Sequence, residues 1–496
     1  MTQSKTSPSA TPTLWDDAPV TSALFIAGRS VSTIEHVAIV DPAAPEHTVG
    51  FAAAASADDV ELAISSAWAA RAAWRCMPVA ERARLMKQAV ASVAQHRDED
   101  ARLLTRETGK ILHESVVDSL VFEARWNLAL TLADDVDLIE QLPGDGHSPS
   151  TDISYSPLGV VTIIVPFNWP LAILAASLPA ALLAGNTVIV KPPASAPLAT
   201  AALVSRVAAS LPPGVLGVVT GRDADLSPLI TDPRIAKVCF TGSVAGGSQI
   251  MRLAADSLTR VTLELGGNDA ALILDDAVLD EAHIDALFHA IFDSTGQICM
   301  NVKRVMVHRS RREELVSALE SKCAQIVLGH GLDPHTTHGP VHTASAAARQ
   351  HALLDEARAL GAEVREFAEI PDQAALPGHF VRPALVLDAP ASARIVTEEQ
   401  FGPIIPILTF DTDEEAIALA NDTWAGLCGS VWSADTGRAR RIAAQLEVGY
   451  VWLNSHGAAG LDLRAPFGGV KGSGFGREQG IHGLRDFMDT RAVSGA

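Results

Sequence analysis

The sequence predicts an α/β protein that is built on parallel sheets and divided into more than one structural region. From about residue 160 onward, short apolar strand-like segments alternate with helical ones, a pattern typical of parallel sheets covered by helices on both faces. At 496 residues the chain is too long for one compact core. Glycine-rich turns follow several of the strand-like segments, and sheets of this kind bind ligands at those strand ends.

The composition is that of a globular protein and argues against several classes. Hydrophobic residues make up 48% of the chain and charged residues 19%. The net charge of −20 argues against nucleic acid and anionic membrane surfaces as partners, because phosphate binding needs a basic surface. The five cysteines are scattered, with no C-x-x-C pair, which fits a reducing compartment better than disulfides or a zinc site. We therefore predict a cytoplasmic protein without a metal site.

Two segments resemble targeting or membrane signals only in part. Residues 1–19 are polar and rich in Ser, Thr and Pro, so we interpret them as a loose arm rather than a signal peptide. Residues 158–190 lack charge over the length of a membrane span. Prolines and asparagines interrupt that stretch, however, and its apolar residues come in short blocks. We predict a buried strand, a loop, a helix and a second strand there.

The coarse order of elements supports this fold class. A helical pattern runs from Ser56, which can act as an N-cap, to about residue 137. Further helices are predicted over 171–184, 198–211, 245–256, 279–293 and 313–327. Strands are predicted over 160–165, 187–190, 215–219, 238–241, 261–265, 304–307, 380–387, 404–410 and 450–453. The second group of strands suggests a second α/β domain.

A glycine-rich turn at residues 240–247, F-T-G-S-V-A-G-G, ends one strand and opens a helix. The N–H groups at a helix start and the small glycine side chains suit a pyrophosphate. Gly242 and Ser243 are the candidate contacts. Turns of this composition are common, so the feature by itself is weak support for nucleotide binding.

Three residues stand out as candidates for catalytic roles. Cys299 follows a glycine in S-T-G-Q-I-C, although a cysteine is more often a small buried hydrophobe than a nucleophile. Glu264 ends an apolar strand in L-E-L-G-G, where a buried ion-pair partner is the ordinary interpretation. Asn168 in P-F-N-W-P is, taken alone, a turn residue. None of the three establishes a function by itself.

Taken together, the motifs closely resemble the aldehyde dehydrogenase superfamily. P-F-N-W-P, F-T-G-S, L-E-L-G-G, G-Q-I-C, E-E-Q-F-G-P and P-F-G-G-V-K-G-S-G occur in that family's order and spacing from about residue 20 to the C-terminus. The resemblance implies a Rossmann-like dinucleotide-binding domain (1–133 and 157–267), an α/β catalytic domain (268–470) and a small β oligomerisation flap (134–156 and 480–496). It also implies a homodimer or homotetramer.

The resemblance further implies hydrolytic, NAD(P)+-dependent oxidation of an aldehyde to its acid. The Cys299 thiolate is expected to attack the aldehyde carbon and give a thiohemiacetal. The side-chain amide of Asn168 and the backbone N–H of Cys299 are expected to hold the oxyanion. After hydride transfer to the cofactor, Glu264 is expected to activate the water that hydrolyses the thioester. Ser177 stands where a lysine of the family's proton relay is common.

The implied cofactor is NAD+ or NADP+. The family's pattern assigns Lys191 to the adenosine ribose, Ser243 to the pyrophosphate and Glu399 to the nicotinamide ribose, with Phe401 bracing that end. Relatives often carry an acid at the position of Ala194, and its absence permits NADP+. Both cofactors therefore stay open. The other positions implied around the cofactor are Phe167, Trp169, Gly214, Gly242, Leu265 and Gly266.

The substrate is expected to be a bulky, mainly apolar aldehyde, aromatic aldehydes included, because the small Ala176 leaves room in the implied tunnel. An alternative is a carboxylated semialdehyde bound by Arg464, if that residue turns inward. A CoA-acylating dehydrogenase, which generally lacks the equivalent of Glu264, and an idle binding relative are further alternatives. The implied tunnel residues are Trp169, Ala172, Ile173, Ala176, Ile298, Met300, Ala458, Ala459 and Phe467.

Overall fold

The computed structural model describes residues 17–145 and 147–495. Most of the predicted N-terminal arm lies outside these residues. The elements up to the end of the first sheet's parallel strands are β1 (Val20–Thr21), β2 (Leu24–Ile26), β3 (Arg29–Val31), β4 (Glu35–Asp41), β5 (Ala44–Ala54), α1 (Ala57–Cys76), α2 (Val79–Thr108), α3 (Leu112–Leu130), α4 (Ala133–Val136), β6 (Glu140–Leu142), β7 (Thr151–Pro157), β8 (Val160–Ile164), α5 (Pro170–Ala184), β9 (Thr187–Lys191), α6 (Leu198–Ala209), β10 (Leu216–Val218), α7 (Pro228–Thr231), β11 (Ile235–Thr241), α8 (Val244–Ala255) and β12 (Arg260–Glu264).

The second part of the chain adds another series of strands and helices, joined by short 3₁₀ turns such as the one over Asp293–Gly296. Its elements are β13 (Ala270–Ile273), α9 (Glu281–Phe292), β14 (Arg304–His308), α10 (Arg312–Cys323), α11 (Ala344–Ala359), β15 (Glu363–Glu366), β16 (Ala384–Leu387), α12 (Arg394–Thr397), β17 (Ile404–Phe410), α13 (Asp413–Asn421), β18 (Ala425–Gly426), β19 (Cys428–Trp432), α14 (Thr436–Ala443), β20 (Tyr450–Leu453), β21 (Val470–Lys471), β22 (Gly474–Phe475), α15 (Gly480–Arg485) and β23 (Met488–Ser494).

The first large sheet has eight strands in the order β22-β12-β11-β8-β9-β10-β2-β3. The five strands from β12 to β10 run parallel. Their register pairs Thr241 with Glu264 and Ile164 with Lys191, so the carboxyl ends of these strands lie at one edge. Helix α5 packs on this sheet with Leu171, Leu174 and Leu178 fully buried. Burial of these apolar side chains fixes the loop that follows β8.

The second large sheet has seven strands in the order β15-β16-β17-β14-β13-β19-β20. All neighbouring strands are parallel except β15, which is an antiparallel edge. Val305, Leu385 and Ile407 point into the core that this sheet shares with α9 and α10. The class predicted from sequence, an α/β protein with two parallel sheets, is thereby confirmed.

Two small sheets complete the fold. Strands β1, β5 and β4 form one of them, and β23, β7 and β6 form the other. The pairing of Thr490 with Tyr155 brings the C-terminal strand back to the segment before β8. Strand β6 is exposed along its whole length, so this second small sheet projects from the body of the protein.

Several sequence predictions hold and others need correction. Ser56 caps α1 in a capping box with Asp59, as predicted. The single helical region after it is four helices. Pro78 separates α1 from α2, and the left-handed Gly109 separates α2 from α3. The short α4 begins after Leu132. The strands before Ser56 and strands β13 and β19 were not predicted. The uncharged stretch 158–190 forms β8, α5 and β9, and none of the helices within the described ranges combines the length and apolar character that crossing a membrane needs.

Candidate active site

A strained turn presents Cys299. After α9, the non-glycine residues Ser294 and Thr295 both adopt left-handed conformations, with φ of 53° and 55°. Two side chains hold this turn: Glu114 Oε1 accepts the Ser294 N–H at 2.6 Å, and Trp169 Nε1 donates to Ser294 Oγ at 2.9 Å. These bonds offset a backbone strain of about 1–3 kcal/mol per residue. The segment that carries the thiol is therefore held from two other elements.

Asn168 lies beside this turn, at the start of α5. Its Nδ2 donates to the Gln297 carbonyl at 2.8 Å, which uses one of its two N–H groups. Asn168 and Cys299 line the same cavity. The bond to Gln297 therefore orients the amide and leaves one N–H for an oxyanion formed at Cys299.

Glu264 ends β12 and enters the cavity without a fixed partner. Neither of its carboxylate oxygens accepts a hydrogen bond from residues within the described ranges. Burial raises the pKa of this carboxyl well above its usual range, and the charge of Glu478 adds to the effect while Arg477 opposes it. Gly468, with φ of 155°, allows its backbone to pass close to Oε1, where a Cβ would come within 2.8 Å. An unpaired carboxylate with a raised pKa suits a general base.

The thiol of Cys299 is half-buried, and its surroundings oppose ionisation. Burial, followed by the charge of Glu399, raises its pKa to about 12, and Lys303 acts in the opposite direction. Lys303 also supports the loop, because its Nζ donates to the Ile298 carbonyl at 2.5 Å and to that of Asn301 at 3.2 Å. At neutral pH the resting group is therefore the thiol, and its attack requires a proton acceptor.

Two cavities meet at Cys299. The larger, here called the main cavity, encloses about 810 Å³ and is lined by Trp169, Ile298 and Phe467 among others. The smaller, here called the sheet-edge cleft, encloses about 660 Å³ at the carboxyl ends of β11 and β12. The residues that line both are Asn168, Ile173, Thr241 and Cys299. A group bound in either cavity can therefore reach the thiol.

Most predicted tunnel residues line the main cavity, and Ala176 is the exception. Ala176 faces a separate space of about 20 Å³, and Arg125 and Gln479 line both spaces and so stand between them. The prediction that Ala176 enlarges the tunnel is therefore wrong. The predicted residues that do line the main cavity are Trp169, Ala172, Ile173, Ile298, Met300, Ala458, Ala459 and Phe467.

The arginine in the main cavity is not the one considered from sequence. The side chain of Arg464 is 78% exposed and pairs with Asp462 at 2.7 Å, so it does not turn inward. Arg125 of α3 lines the cavity instead. Sequence reasoning missed it, although Val117, Val121 and Arg125 follow the i, i+4, i+8 spacing that places them on one face of a helix.

The sheet-edge cleft has features that fit a nicotinamide dinucleotide. Ser243 caps α8 by accepting the Gly246 N–H at 3.1 Å, so a helix amino end opens into the cleft. Glu399 accepts the Gly267 N–H at 3.2 Å, and a Cβ on Gly266 would overlap its carboxylate. Other predicted residues that line the cleft are Phe167, Gly242, Leu265, Gly266 and Phe401. Trp169 was predicted to contact both the cofactor and the substrate, but it lines only the main cavity.

The residues predicted near the adenosine of the cofactor lie only partly where they were expected. Lys191 lies at the carboxyl end of β9 and forms an ion pair with Asp223, a residue that the sequence did not single out. Ala194 is exposed just beyond it. Gly214 lies before β10, at the opposite edge of the sheet, and a Cβ there would approach the Ser66 carbonyl to 2.7 Å. It is a packing glycine against α1 and does not belong to the cleft.

Other cleft residues were also missed from sequence. The ring of His342 stacks on Phe167 with centroids 3.9 Å apart, and burial lowers the pKa of this histidine to about 4. Arg349 pairs with Glu398 at 2.8 Å and donates to the Gln400 carbonyl at 2.9 Å. These residues come from α11 and its preceding loop, which carry no glycine-rich or strand-end pattern. Sequence alone therefore offered no sign of them.

A thiol between a wide cavity and a cleft that fits a dinucleotide is typical of oxidoreductases that use a cysteine. The family model of the aldehyde dehydrogenase family matches residues 29–493, and the chain belongs to that family. It is an enzyme of the NAD(P)-dependent aldehyde-oxidising class.

Named relatives and solved structures agree with this assignment. A betaine aldehyde dehydrogenase of Cereibacter sphaeroides is 35% identical over 476 residues, which cover 95% of this chain and 96% of that protein. The structure of betaine aldehyde dehydrogenase from Staphylococcus aureus in complex with NAD+ superposes with a TM-score of 0.89 at 31% identity, covering 95% of this chain and 94% of that one. An E. coli NADP dependent enzyme superposes with a TM-score of 0.90 at 30% identity, covering 95% and 98%.

Proposed function

We propose that this enzyme oxidises an aldehyde to the carboxylic acid by covalent catalysis at Cys299, with hydrolysis directed by Glu264. The observation that supports the proposal most is the position of Cys299, Asn168 and Thr241 on the shared wall of both cavities. An aldehyde in the main cavity and a dinucleotide in the sheet-edge cleft then meet at one sulfur atom.

The covalent steps follow from the groups on that wall. As Cys299 Sγ forms a bond to the aldehyde carbon, the thiol proton passes to solvent in the main cavity and the carbonyl electrons move to oxygen. The free N–H of Asn168 Nδ2 and the backbone N–H of Cys299 stabilise this oxyanion. Ser243 and Glu399 would hold the dinucleotide, which when bound would supply the acceptor for the hydride. The product of this half-reaction is a thioester on Cys299.

Glu264 completes the cycle by removing a proton from the water that attacks the thioester. Its unpaired, buried carboxylate faces the main cavity, so a water there can donate to it without breaking another bond. Ser177 donates to Glu478 Oε1 at 2.6 Å. We propose that this serine–glutamate pair, beside Glu264, replaces the family's common lysine in passing the proton onward.

An assay of NAD(P)H release over a panel of aldehydes, with and without CoA, tests the proposal. We expect turnover without CoA, an acid as product and no acyl-CoA. Turnover that depends on CoA would favour the acylating alternative, and the absence of turnover with every aldehyde and either cofactor would favour an idle relative.

We propose that NAD+ is the preferred cofactor, although Ala194 leaves space for NADP+. Asp223 pairs with Lys191 at the sheet edge, and its side chain is 79% exposed. This carboxylate can bind ribose hydroxyls and repel a 2′-phosphate. It can therefore take the place of the acid that relatives often carry at the position of Ala194. The solved relatives include both an NAD+ complex and an NADP dependent enzyme, and Asp223 is our reason for choosing between them.

We also propose a dinucleotide-binding domain of 1–133 and 157–267, a catalytic domain of 268–470, and a flap of 134–156 and 480–496. The flap contains the small sheet of β6, β7 and β23 and exposes several large apolar side chains, which favours a role in joining subunits as a homodimer or homotetramer. These side chains are Leu138, Ile139, Leu142 and Val493.

The size and lining of the main cavity support a bulky, largely apolar aldehyde. The names of the relatives raise betaine aldehyde as a second candidate. Betaine aldehyde is a quaternary ammonium cation, and such cations bind in aromatic surroundings. Trp169 and Phe467 provide aromatic surface here, but the guanidinium of Arg125 in the same cavity opposes a cation.

A further inference from the structure

Arg125 is a positive charge in the main cavity, and the proposed mechanism gives it no task. The cavity surface is mainly apolar, but Lys322 and the carboxylates of Glu114, Glu264, Asp285, Asp293 and Glu478 also line it. Arg125 lies on α3 next to Val117 and Val121, and all three side chains line the cavity with Cys299. Arginine stays protonated under these conditions. A cation beside the reacting atoms is therefore a permanent property of this site.

The hydrogen bonds of Arg125 are incomplete. Its Nη1 donates to the Ala172 carbonyl at 2.5 Å. With the Gln479 amide flipped, which satisfies both ends of that amide, Arg125 Nη2 donates to the Gln479 side-chain oxygen at 3.2 Å. Its buried Nε has no partner within the described parts of the chain. A guanidinium has five N–H donors, so these two bonds orient the group and leave several donors for another acceptor.

Neighbouring carboxylates act on this charge only from a distance: Glu478 and Asp118 favour the protonated form of Arg125 but form no salt bridge with it. Asp118 is engaged elsewhere, because Lys110 Nζ donates to it at 2.7 Å and the Ala172 N–H at 2.6 Å. Glu478 accepts from Ser177; burial raises its pKa, and the charge of Arg125 partly opposes that effect. Across residues 17–145 and 147–495, Arg125 forms no ion pair with a carboxylate. An unpaired charge in an apolar setting is costly unless a ligand supplies the opposite charge.

We infer that the main cavity selects aldehydes that also carry a carboxylate, with the guanidinium of Arg125 as its partner. The inference rests on the proposed aldehyde oxidation and names its substrate class. The planar fork of arginine matches a carboxylate in two parallel hydrogen bonds. The body of the substrate lies against the apolar surface of Trp169, Ile173 and Phe467, and cationic aldehydes bind worst.

Matched substrates test this selectivity on the parent enzyme. We expect kcat/KM for 3- or 4-formylbenzoate to exceed that for the methylbenzaldehyde of the same substitution pattern by about 30-fold or more, the range of a charged hydrogen-bonded pair. Betaine aldehyde should be the poorest substrate. Equal values for the charged and neutral aldehydes, or a preference for betaine aldehyde, would overturn the inference. Turnover of methylbenzaldehydes would still leave aldehyde oxidation intact.

Substitutions of two arginines test which side chain produces the preference for carboxylated aldehydes. Arg125→Met should lower kcat/KM for the preferred formylbenzoate at least about 30-fold more than for its methyl counterpart, and Arg125→Lys should retain part of the preference. Arg464→Met, which removes an exposed arginine near the same cavity, is the matched control and should keep the parent's ratio. Cofactor binding and Tm report folding. If Arg125→Met slows all aldehydes equally, or if Arg464→Met removes the preference, the guanidinium does not bind the substrate carboxylate.

Discussion

The sheet-edge cleft and the main cavity share a wall at Cys299 but are built from different kinds of structure. The cleft uses the amino end of α8, short segments that follow strands and one side of α11, with Ser243 and Glu399 as principal side chains. The main cavity is built mostly from side chains of α3, α5, α9 and several loops, among them Arg125 and Phe467. Backbone groups suit a ligand that is constant across a family, whereas side chains on helices can vary with the substrate.

The strongest test of this division is the residue that both cavities share. Cys299→Ala should reduce aldehyde oxidation by at least about 10⁴-fold, because the covalent pathway is lost. NAD(P)H binding, followed by fluorescence titration, should remain because the cleft is otherwise intact. Cys323→Ala, which removes a buried thiol from α10, is the control and should retain turnover. Oxidation by Cys299→Ala within about tenfold of the parent would exclude a covalent role.

Glu264 separates the two halves of the reaction. Glu264→Gln should slow hydrolysis by about 10²–10⁴-fold while hydride transfer continues. Stopped-flow absorbance should then show a burst of about one NAD(P)H per active site before a slow steady state. Loss of the burst together with turnover would mean that Glu264 is also needed to deprotonate Cys299.

The same carboxylate predicts a pH dependence. Burial holds the pKa of Glu264 well above its usual range, and only the deprotonated form can accept a proton from water. The hydrolysis rate of the parent should therefore fall as the pH drops through this raised pKa, and recover above it. The Glu264→Gln steady state should lack this limb. A parent profile that stays flat down to the ordinary pKa range of a glutamate would contradict the assignment.

A smaller effect is expected near the carboxyl end of β9, where the adenosine ribose is predicted to bind. Asp223→Ala removes the carboxylate paired with Lys191 and should shift the NADP+/NAD+ ratio of kcat/KM about tenfold toward NADP+. Ala194→Glu should shift the ratio toward NAD+. Asp225→Ala, in the same exposed loop, is the control and should not change it. An unchanged ratio in both Asp223→Ala and Ala194→Glu would show that the preference is set elsewhere.

The smallest effect on selectivity should come from Ala176. Because this residue faces a space of only about 20 Å³, Ala176→Trp should overpack α5 and lower the free energy of unfolding by about 1–3 kcal/mol. Preference among bulky aldehydes, measured as relative kcat/KM, should stay within about threefold of the parent. A specific loss of bulky substrates without loss of stability would restore Ala176 to the tunnel.

The same contrast explains what could be predicted from the sequence. Glu264, Ser243 and Cys299 follow strands or turns, and local motifs predict them because short-range geometry decides their positions. The prediction for Gly214 was wrong because this glycine precedes β10. It therefore lies at the amino ends of the parallel strands, at the edge opposite the cleft. Ala176 was misplaced because the helix face that meets a cavity depends on residues distant in sequence.

Residues missed altogether depend on tertiary packing. Arg125 occupies a helix position that is ordinarily a surface charge, and only the packing of α3 on α5 places it beside Cys299. Asp223 lies in a loop without a motif, and its importance depends on the ion pair with Lys191. Local sequence motifs therefore locate the residues near Cys299, whereas the residues that could set selectivity depend on tertiary packing.

The short strand β22 has a consequence for how Glu264 is placed during folding. Gly474 pairs with Glu264, and the Leu265 N–H donates to the Ser473 carbonyl at 3.0 Å, so the backbone that carries Glu264 is supported by a segment far along the chain. Pairing of such distant segments closes a long loop and is slow compared with local structure formation. Correct placement of Glu264 is therefore expected late in folding.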